Sequence, residues 1–522
     1  MGWNCKYDKQ IAKALGLIFL FIFLGGCKNK DNTEDQTEDY SQYIKIDSDV
    51  TYMAVTNLTN ESVYFKNFGE FKSSSRQIEC DNYDIDEFNL YVPKKVDIQM
   101  HSKINKDMQS ARSAYVNASV SAGTNKLDED NIFWYIKNPM ENSYTFIEQK
   151  TKLKWSEDTS HCRVYSFGTE ELFPDENEKP NSIYQTIADK FDLIFEKETN
   201  ICGKNYLDSY PAIYITPDEN SKIDILIYDI NGDGEINSNG QSGIVGYFSP
   251  NDFYYNNSNS NKREVFYIDS YWLKDNPEEV FSTLAHEFNH MLNFINKTCK
   301  YDIVYDTWFT EMLAMCAEDL LQDTLDLPDY YSPKNRLDYF NIYSYYGFID
   351  PWESNVSQVQ LIGYANTYAF GAYLLRNYGG ADLFYELATN SYVDSAAISQ
   401  ALTKSGYSED FESVVEKFHE VFLNIQNNFP SLASLNIECD SKVNEISYHL
   451  SKINLTESYY NPDNVDSNGN HLEWYGPVSY YFKPMSRNSE TLDSCGFVVI
   501  NMAEYQDMYF YNYNSNLIYN FY

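Results

Sequence analysis

The sequence predicts an α+β fold in which a mostly helical centre is flanked by two β-rich ends. In the centre, apolar residues recur at helical spacing, as in the stretch 181–197, where Ile183, Ile187 and Phe191 share one face. At both ends the chain shows short β-rich runs broken by Asn, Ser and Gly. A length of 522 residues is sufficient for two or three domains. We expect a β-rich N-terminal module at 43–125, a central domain at 130–430 and a β-rich C-terminal module at 431–522.

The first 42 residues have the pattern of an export signal followed by a tether. Basic residues precede an apolar run at 14–24, which leads into Leu24-Gly25-Gly26-Cys27. This pattern is typical of a secretory signal peptide, here 1–26, and its last residues resemble the lipobox of bacterial lipoproteins. We expect lipidation of Cys27, a flexible polar tether at 27–42, and anchoring to a bacterial membrane on its periplasmic or cell-surface face. The alternative is an uncleaved anchor helix, for which the apolar run is short.

The charge balance of the chain is strongly acidic. The formal net charge is −38, which argues against nucleic acid or an anionic lipid surface as a partner. Beyond Cys27 the sequence has seven cysteines at sparse spacing, an odd number that does not suit a disulfide scaffold. Cys162 and Cys202 are a candidate disulfide in an exported protein, whereas we expect Cys316 to pack as a small apolar residue.

The segment His286-Glu287-Phe288-Asn289-His290 carries the strongest chemical signal. Apolar residues around it recur at helical spacing, and residues four apart on a helix project from the same face. The imidazoles of His286 and His290 can therefore bind one zinc ion, with Glu287 beside them to act on a water molecule. The alternative is a surface helix with two solvated histidines. Because the apolar stripe must be buried, the histidines at its flank need polar partners.

A third ligand is expected from the next helix. Residues 308–319 are rich in good helix formers, and Glu311 lies among apolar neighbours in the first turns. A catalytic zinc needs three protein ligands and one position open to water, and Glu311 would complete the set with His286 and His290. The alternative is that Glu311 only interacts with the positive end of the helix dipole.

Further segments extend this pattern in a fixed order along the chain. They are the runs at 224–230, 246–248, 265–269, 286–290, 308–314 and 364–371. Together they resemble the hyicolysin-like family of secreted bacterial metallopeptidases, which belongs to the gluzincin group and is distantly related to thermolysin. The resemblance implies a zincin-type catalytic domain, in which a mixed sheet and the zinc helix are followed by a helical subdomain.

The resemblance also implies endopeptidase activity on protein or peptide substrates, with one zinc ion. His286, His290 and Glu311 would be the ligands, and Glu287 would be the general base. The strand at 265–268 stands where zincins place the edge strand that binds extended substrates.

The residue that orients a zinc histidine stays undecided. In thermolysin-like enzymes an acid stands four residues after the glutamate ligand, but here that position is Met315. Glu318 and Asp319 follow on the same helix and are candidates for this role. The alternative is that both lie on a solvated flank.

Peptide hydrolysis also needs a donor that stabilises the oxyanion beside the metal. In gluzincins a tyrosine or histidine of the downstream helical region supplies it, and Tyr364 and Tyr368 lie four residues apart on one helix face. His419 and His471 are further candidates. The alternative for each of the four is an ordinary structural role, since the chain has 48 tyrosines and most histidines are structural or exposed.

One segment resembles a calcium-binding loop. Asp229, Asn231 and Asp233 place side-chain oxygens at the first, third and fifth positions, and Gly234 follows at the sixth. The twelfth position, where a bidentate glutamate is expected, is Gly240. The alternative is a tight polar turn, which Asp, Asn and Gly favour for backbone reasons.

The sequence thus predicts a zinc-dependent endopeptidase that acts on proteins outside the cytoplasm, with Ca²⁺ as a second candidate metal. One alternative is a different zinc hydrolase on the same scaffold. Another is an inactive surface lipoprotein that serves as an adhesion or binding module, although such a protein has no chemical use for Glu287.

Overall fold

The computed structural model describes residues 43–46, 52–71, 131–137, 145–174, 182–232, 234, 244–354, 357–457, 488–501, 505–511 and 517–522. The predicted signal peptide, the lipidation site Cys27 and the tether lie outside these residues. Within them, no helix combines the length and the apolar character that crossing a bilayer requires.

A five-stranded mixed sheet forms the framework of the central domain. Its strands are β6 (Lys152–Ser156), β7 (Cys162–Ser166), β8 (Ile223–Tyr228), β9 (Gly246–Phe248) and β10 (Val265–Asp269). They stand in the order β6-β7-β8-β10-β9, with β7, β8 and β10 parallel and the two outer strands antiparallel to their neighbours. β8 and β10 are buried at every position, as expected for parallel strands that are covered on both faces.

The two faces of this sheet belong to two different cores. Ile225 and Ile227 of β8 pack into the large core that the helices build. Leu226 and Tyr228, which point the opposite way, pack under the hairpin of β4 (Ile132–Ile136) and β5 (Phe146–Lys150). This alternation is the two-residue period of a strand, and it fixes the register of β8 because a shift by one residue would exchange the two faces.

β9, and not β10, forms one edge of the sheet, and β6 forms the other. β10 pairs with β8 on one side and with β9 on the other, so the expectation that 265–268 is an edge strand is wrong. With three residues, β9 is too short for its alternation to be recognised in a sequence. It also passes very close to β10 at Gly246, where a Cβ atom would lie 2.7 Å from the carbonyl oxygen of Tyr267. Only glycine leaves room for that approach.

Helices cover one face of the sheet and continue into a helical half. In chain order they are α1 (Ile183–Cys202), α2 (Ser270–Asp275), α3 (Pro277–Asn293), α4 (Thr307–Leu325), α5 (Leu337–Tyr343), α6 (Ser357–Tyr378), α7 (Ala381–Thr389), α8 (Asp394–Lys404), α9 (Phe411–Lys417) and α10 (Glu420–Leu423). A π-helical segment, Phe294–Cys299, follows α3 directly. The combination of helices with a mixed sheet confirms the predicted α+β class.

The close packing of α4 between α3 and α6 positions the functional site. α6 approaches α4 at Gly371, where a Cβ atom would lie 2.5 Å from the sulfur of Cys316 and 2.8 Å from Cγ of Met312. Such an approach requires a residue without a side chain on one of the two helices. Cys316 is buried and belongs to the large core, as predicted.

Both ends of the chain are β-rich, as predicted. Their strands are β1 (Tyr43–Ile46), β2 (Tyr52–Asn57), β3 (Val63–Phe71), β11 (Cys439–Val443), β12 (Ile446–Leu450), β13 (Asn488–Leu492), β14 (Phe497–Asn501), β15 (Tyr505–Tyr511) and β16 (Leu517–Phe521). β2 lies between β14 and β16, and β3 lies between β13 and β15, always antiparallel. The predicted N- and C-terminal modules therefore contribute strands to the same sheets, while β11 and β12 form a hairpin of their own.

Cys162 and Cys202 are separate buried thiols, so the predicted disulfide between them is wrong. The side-chain amide of Asn289 donates a hydrogen bond to the sulfur of Cys202 at 3.2 Å. Burial raises the pKa of Cys162 to about 12. Both residues thus act as small side chains in the core, whereas the expected export of the protein had made a bridge a candidate.

Candidate metal centre

α3 places the two histidines in a buried position. Pro277 stands in its first turn together with Glu278 and Glu279, which suits a helix N-terminus because the proline ring presets the backbone and the carboxylates meet the positive dipole end. His286 and His290 follow two turns later, 7% and 4% exposed. Their ring centroids are 4.7 Å apart, as residues on one helix face must be. The alternative of two solvated histidines is therefore wrong.

α4 supplies the carboxylate of Glu311, which is fully buried. Glu311 Oε2 lies 3.2 Å from His286 Nε2, and Glu311 Oε1 lies 3.6 Å from His290 Nε2. Ligand atoms of the three residues all lie within 4.8 Å of one another. The structure thus brings together the three side chains that the sequence predicted as metal ligands.

The spacing of these atoms fits a tetrahedral zinc site. Bonds of about 2.0 Å at tetrahedral angles separate two ligand atoms by about 3.3 Å. The distances from Glu311 to the two imidazoles, 3.2 and 3.6 Å, bracket that value. Two neutral imidazoles and one carboxylate are also the donor set of a catalytic zinc that keeps one position open.

Each histidine has a polar partner at its Nδ1 atom, on the side of the ring away from Glu311. His286 Nδ1 lies 2.8 Å from Glu318 Oε1, and His290 Nδ1 lies 3.0 Å from the hydroxyl of Thr310. Ser282 in turn donates a hydrogen bond to Glu318. These contacts turn both Nε2 atoms towards Glu311, which is how outer partners orient metal-binding histidines.

Of the two acids proposed for this role, Glu318 takes it. Asp319 instead accepts hydrogen bonds from Arg376, at 2.7 and 3.2 Å, on the far side of α4. Neither carboxylate lies on a solvated flank, because both side chains are almost fully buried. The part played by Thr310 was not predicted, although its position next to Glu311 in the sequence is a usable signal.

The carboxylates make His286 a strong base. Burial lowers the pKa of its imidazole, but the hydrogen bonds and negative charges of Glu311 and Glu318 more than compensate and raise it to about 10. A proton and a divalent cation therefore compete for the same imidazole.

Glu287 lies beside the metal ligands at the wall of a small pocket. Its side chain is fully buried. The lining residues come from β9 and the residue before it, from α3, and from the helical half: Val245, Gly246, Thr283, His286, Glu287, Arg336 and Tyr364. The pocket is thus bounded on one side by the edge of the sheet and on another by the metal-binding face of α3.

Comparisons with known proteins agree with this geometry. Residues 174–432 match the family model described as Peptidase M30. This part of the chain belongs to the peptidase M30 family. The chain is also similar to the neutral metalloprotease ShpI of Staphylococcus hyicus, with 32% identity over 240 residues, which cover 42% of this chain and 51% of the relative. The chain therefore matches about half the length of that curated relative.

These matches agree with the resemblance to hyicolysin-like metallopeptidases. A peptidase whose relative is a metalloprotease implies a bound metal. Among the residues that the structure describes, His286, His290 and Glu311 are the cluster that could hold it.

The two candidate tyrosines have different surroundings in the structure. Tyr364 lines the pocket, with its ring packed against Trp352 at 4.7 Å and under the guanidinium of Arg336. Tyr368 is fully buried, and its hydroxyl donates a hydrogen bond to Asp319 at 3.0 Å. One helical turn is sufficient to place one ring in the pocket and the other in the core.

The other candidate histidines do not line the pocket in the described part of the chain. His419 lies in the core with Nε2 at 2.8 Å from the hydroxyl of Tyr522, and burial lowers the pKa of its ring to about 4. His471 lies outside the described residues. Arg336 was missed by sequence reasoning, since it stands in a short 3₁₀ turn without any motif.

The predicted calcium site remains a prediction. Asp229 directly follows β8, and its carboxylate accepts a hydrogen bond from the backbone N–H of Gly234 at 3.1 Å. The backbone of Asn231 lies in a short 3₁₀ turn, but its side chain and the whole of Asp233 lie outside what the structure describes. The observed bond suits both a tight turn and a cation-binding loop.

Proposed function

We propose that the M30 domain is a zinc-dependent endopeptidase that hydrolyses peptide bonds of proteins outside the cytoplasm. The observation that carries this proposal is the convergence of His286, His290 and Glu311 beside Glu287 at the wall of one pocket. When bound there, zinc would polarise the scissile carbonyl and acidify a water molecule. Proton transfer, stabilisation of the oxyanion and substrate binding would be carried out by residues of the protein itself.

Glu287 would be the general base. It follows His286 directly on α3 and faces the same pocket, so its carboxylate can take a proton from the attacking water. It can then pass that proton to the nitrogen of the leaving amine. Its full burial keeps bulk water away and strengthens its interaction with charge that develops nearby.

Tyr364 would donate a hydrogen bond to the oxygen of the scissile carbonyl as negative charge develops on it. Of the two tyrosines proposed for this role, it is the one whose side chain lines the pocket. A donor held by packing needs no reorganisation during the reaction, and Trp352 and Arg336 hold the Tyr364 ring in place.

β9 would bind the backbone of the substrate. It is one of the two edge strands of the sheet, and Gly246 lines the pocket next to His286 and Glu287. An extended peptide can add to such an edge through main-chain hydrogen bonds, which places a bond in the middle of a chain at the metal. This mode of binding favours cleavage within proteins over removal of terminal residues.

We further propose that Cys27 carries the lipid that anchors the protein to a bacterial membrane. The support is the order of basic segment, apolar run and small residues before Cys27. Mass spectrometry of the membrane fraction should find an acylated N-terminal cysteine, and Cys27→Ser should release the protein from membranes. If the Cys27→Ser protein were found in the same membrane fraction as the wild type, the lipid anchor would be refuted.

The catalytic proposal is tested with purified protein, a zinc count and casein cleavage. We expect about one zinc per chain, activity that a chelator removes and zinc restores, and a loss of about 10²–10⁴-fold in Glu287→Gln with zinc retained. Glu278→Gln is the matched control, because it makes the same change in the first turn of α3, where Glu278 does not line the pocket. Equal activity in Glu287→Gln and the wild type would show that Glu287 is not the base.

A further inference from the structure

Arg336 is a nearly buried cation in the wall of the catalytic pocket. It closes the 3₁₀ turn Pro333–Arg336, just before α5, and only 6% of its surface is exposed. It lines the pocket together with His286 and Glu287. Its guanidinium carbon lies 4.8 Å from the centroid of the Tyr364 ring.

Other buried cations of the described residues contact oxygen atoms, whereas the contact found for Arg336 is an aromatic ring. The ammonium of Lys297 donates hydrogen bonds to the backbone carbonyls of Asn390 and Tyr392 at 3.0 and 2.7 Å. Arg376 pairs with Asp319 at 2.7 Å, and Lys334, two residues before Arg336, pairs with Asp329 at 2.7 Å. Asp224 is shared by Arg163 and Arg263. For Arg336, the described part of the chain provides a cation–π contact with the ring of Tyr364.

An aromatic face offsets only part of the cost of burying a cation. A cation–π contact contributes far less than the hydration that a buried charge loses. A planar guanidinium has five N–H donors in a fixed fork, which suits a carboxylate bound through two parallel hydrogen bonds. The position of Arg336 at a substrate pocket provides a route by which such a carboxylate can arrive.

We propose that Arg336 binds a carboxylate of the substrate, next to the scissile bond. This inference rests on the proposed peptidase function of the same pocket. The carboxylate can come from an acidic side chain that flanks the cleaved bond or from the free C-terminus of a short peptide. Both sources present the same group, a planar carboxylate that can bind the edge of the guanidinium. The carbonyl of the scissile bond, next to this carboxylate, would then lie at Tyr364.

The acidic character of the whole chain does not oppose this preference at short range. The net charge is −38, but at physiological ionic strength charges separated by more than about 8 Å are largely screened. A contact with a side chain as buried as that of Arg336 is screened much less. The net negative charge of the protein affects mainly the rate at which acidic peptides approach. The contact with Arg336 affects how tightly they bind in the pocket.

The test uses matched peptides with the wild type, Arg336→Gln and Arg336→Lys. One pair differs by Glu against Gln at the position flanking the cleaved bond, and the other pair differs by a free against an amidated C-terminus. We expect the wild type to show a kcat/KM about 10- to 100-fold higher for the carboxylate form of one pair, which identifies the source. That ratio should fall to about one in Arg336→Gln and to an intermediate value in Arg336→Lys.

Lys274→Gln is the matched control, because it removes the same charge from α2, where the side chain is 47% exposed. It should keep the ratio of the wild type. Equal kcat/KM for both members of both pairs in the wild type would overturn the proposal. So would an Arg336→Gln variant that loses the same factor in kcat on carboxylate and amide peptides, since that pattern belongs to a group acting on the transition state alone.

Direct binding separates this proposal from the proposed activity. The affinity of Glu287→Gln protein for the fluorescently labelled peptide pairs is measured without any cleavage. A preference for the carboxylate form supports the role of Arg336 even when no peptide is hydrolysed, and equal affinities overturn it. If Arg336→Gln does not fold, the peptide ratios of the wild type and of Arg336→Lys decide in the same way.

Discussion

Glu318→Gln should weaken the binding of zinc without disturbing the fold. Glu318 Oε1 lies 2.8 Å from His286 Nδ1, and the glutamate is 3% exposed. The amide that replaces it keeps an oxygen for the imidazole N–H and nearly the same volume, but removes a negative charge one imidazole away from the metal. Loss of such an outer partner reduces metal affinity by about 10- to 100-fold, which is about 1.4–2.7 kcal/mol.

The assay is a competition between the protein and a zinc indicator of known affinity, followed by activity at saturating zinc. We expect a weaker Kd for zinc in Glu318→Gln, with most of the activity restored when zinc is in excess. Asp319→Asn is the control, because Asp319 lies next in the chain but pairs with Arg376. It should cost about 3–5 kcal/mol of folding free energy, as breaking a buried pair does, and leave the Kd for zinc near that of the wild type.

A Glu318→Gln protein with the zinc affinity of the wild type would refute this reasoning. So would an Asp319→Asn protein whose Kd for zinc rises by the same factor as that of Glu318→Gln. The first result would mean that Glu318 does not tune His286, and the second would mean that α4 responds as a whole rather than through one contact.

Three further outcomes follow from single side chains. Tyr364→Phe should lower kcat by about 10-fold or more at unchanged stability, whereas Tyr368→Phe should lower the unfolding free energy by about 1–3 kcal/mol through its lost bond to Asp319; the reverse pattern in kinetics and denaturant unfolding would exchange their roles. Burial raises the pKa of Glu264 to about 8, far above its usual 4.5, so the folded protein holds an extra proton between these values and its stability falls as pH rises through that window. In Glu264→Gln, denaturant unfolding between pH 5 and about pH 7.5 should lose a slope of about 1.4 kcal/mol per pH unit, and an unchanged slope would contradict the assignment. Gly371→Ala should lower the unfolding free energy by about 1–3 kcal/mol, because its Cβ would lie 2.5 Å from the sulfur of Cys316; a stabilised variant would show that α4 and α6 can separate at no cost.

Local periodicity was sufficient for the parts of the site that lie on one helix. His286, Glu287 and His290 are four residues or fewer apart, and the geometry of an α-helix alone places them on one side. The α+β class was also predictable, because helical and alternating apolar patterns occupy different stretches of the chain. Glu311 was predicted from the need of a catalytic zinc for a third ligand on a neighbouring helix, and the family resemblance implied the same role.

Only the tertiary structure decided which distant residues meet these three. The choice of Glu318 over Asp319 depends on which side of α4 faces α3. The choice of Tyr364 over Tyr368 depends on which turn of α6 lies at the pocket. Both are set by packing, as at Gly371, and not by spacing along the chain.

The sequence by itself determined the catalytic helix, because hydrogen bonds between residues four apart fix its geometry whatever surrounds it. The tertiary structure alone decided the rest of the pocket: the edge strand at Gly246, the guanidinium of Arg336 and the hydroxyl behind His290. The tertiary structure alone also decided the pairing of β2, whose partner strands follow more than 400 residues later in the chain. Such contacts join segments that carry no shared period, so their pairing follows from the burial of apolar surface by the whole chain.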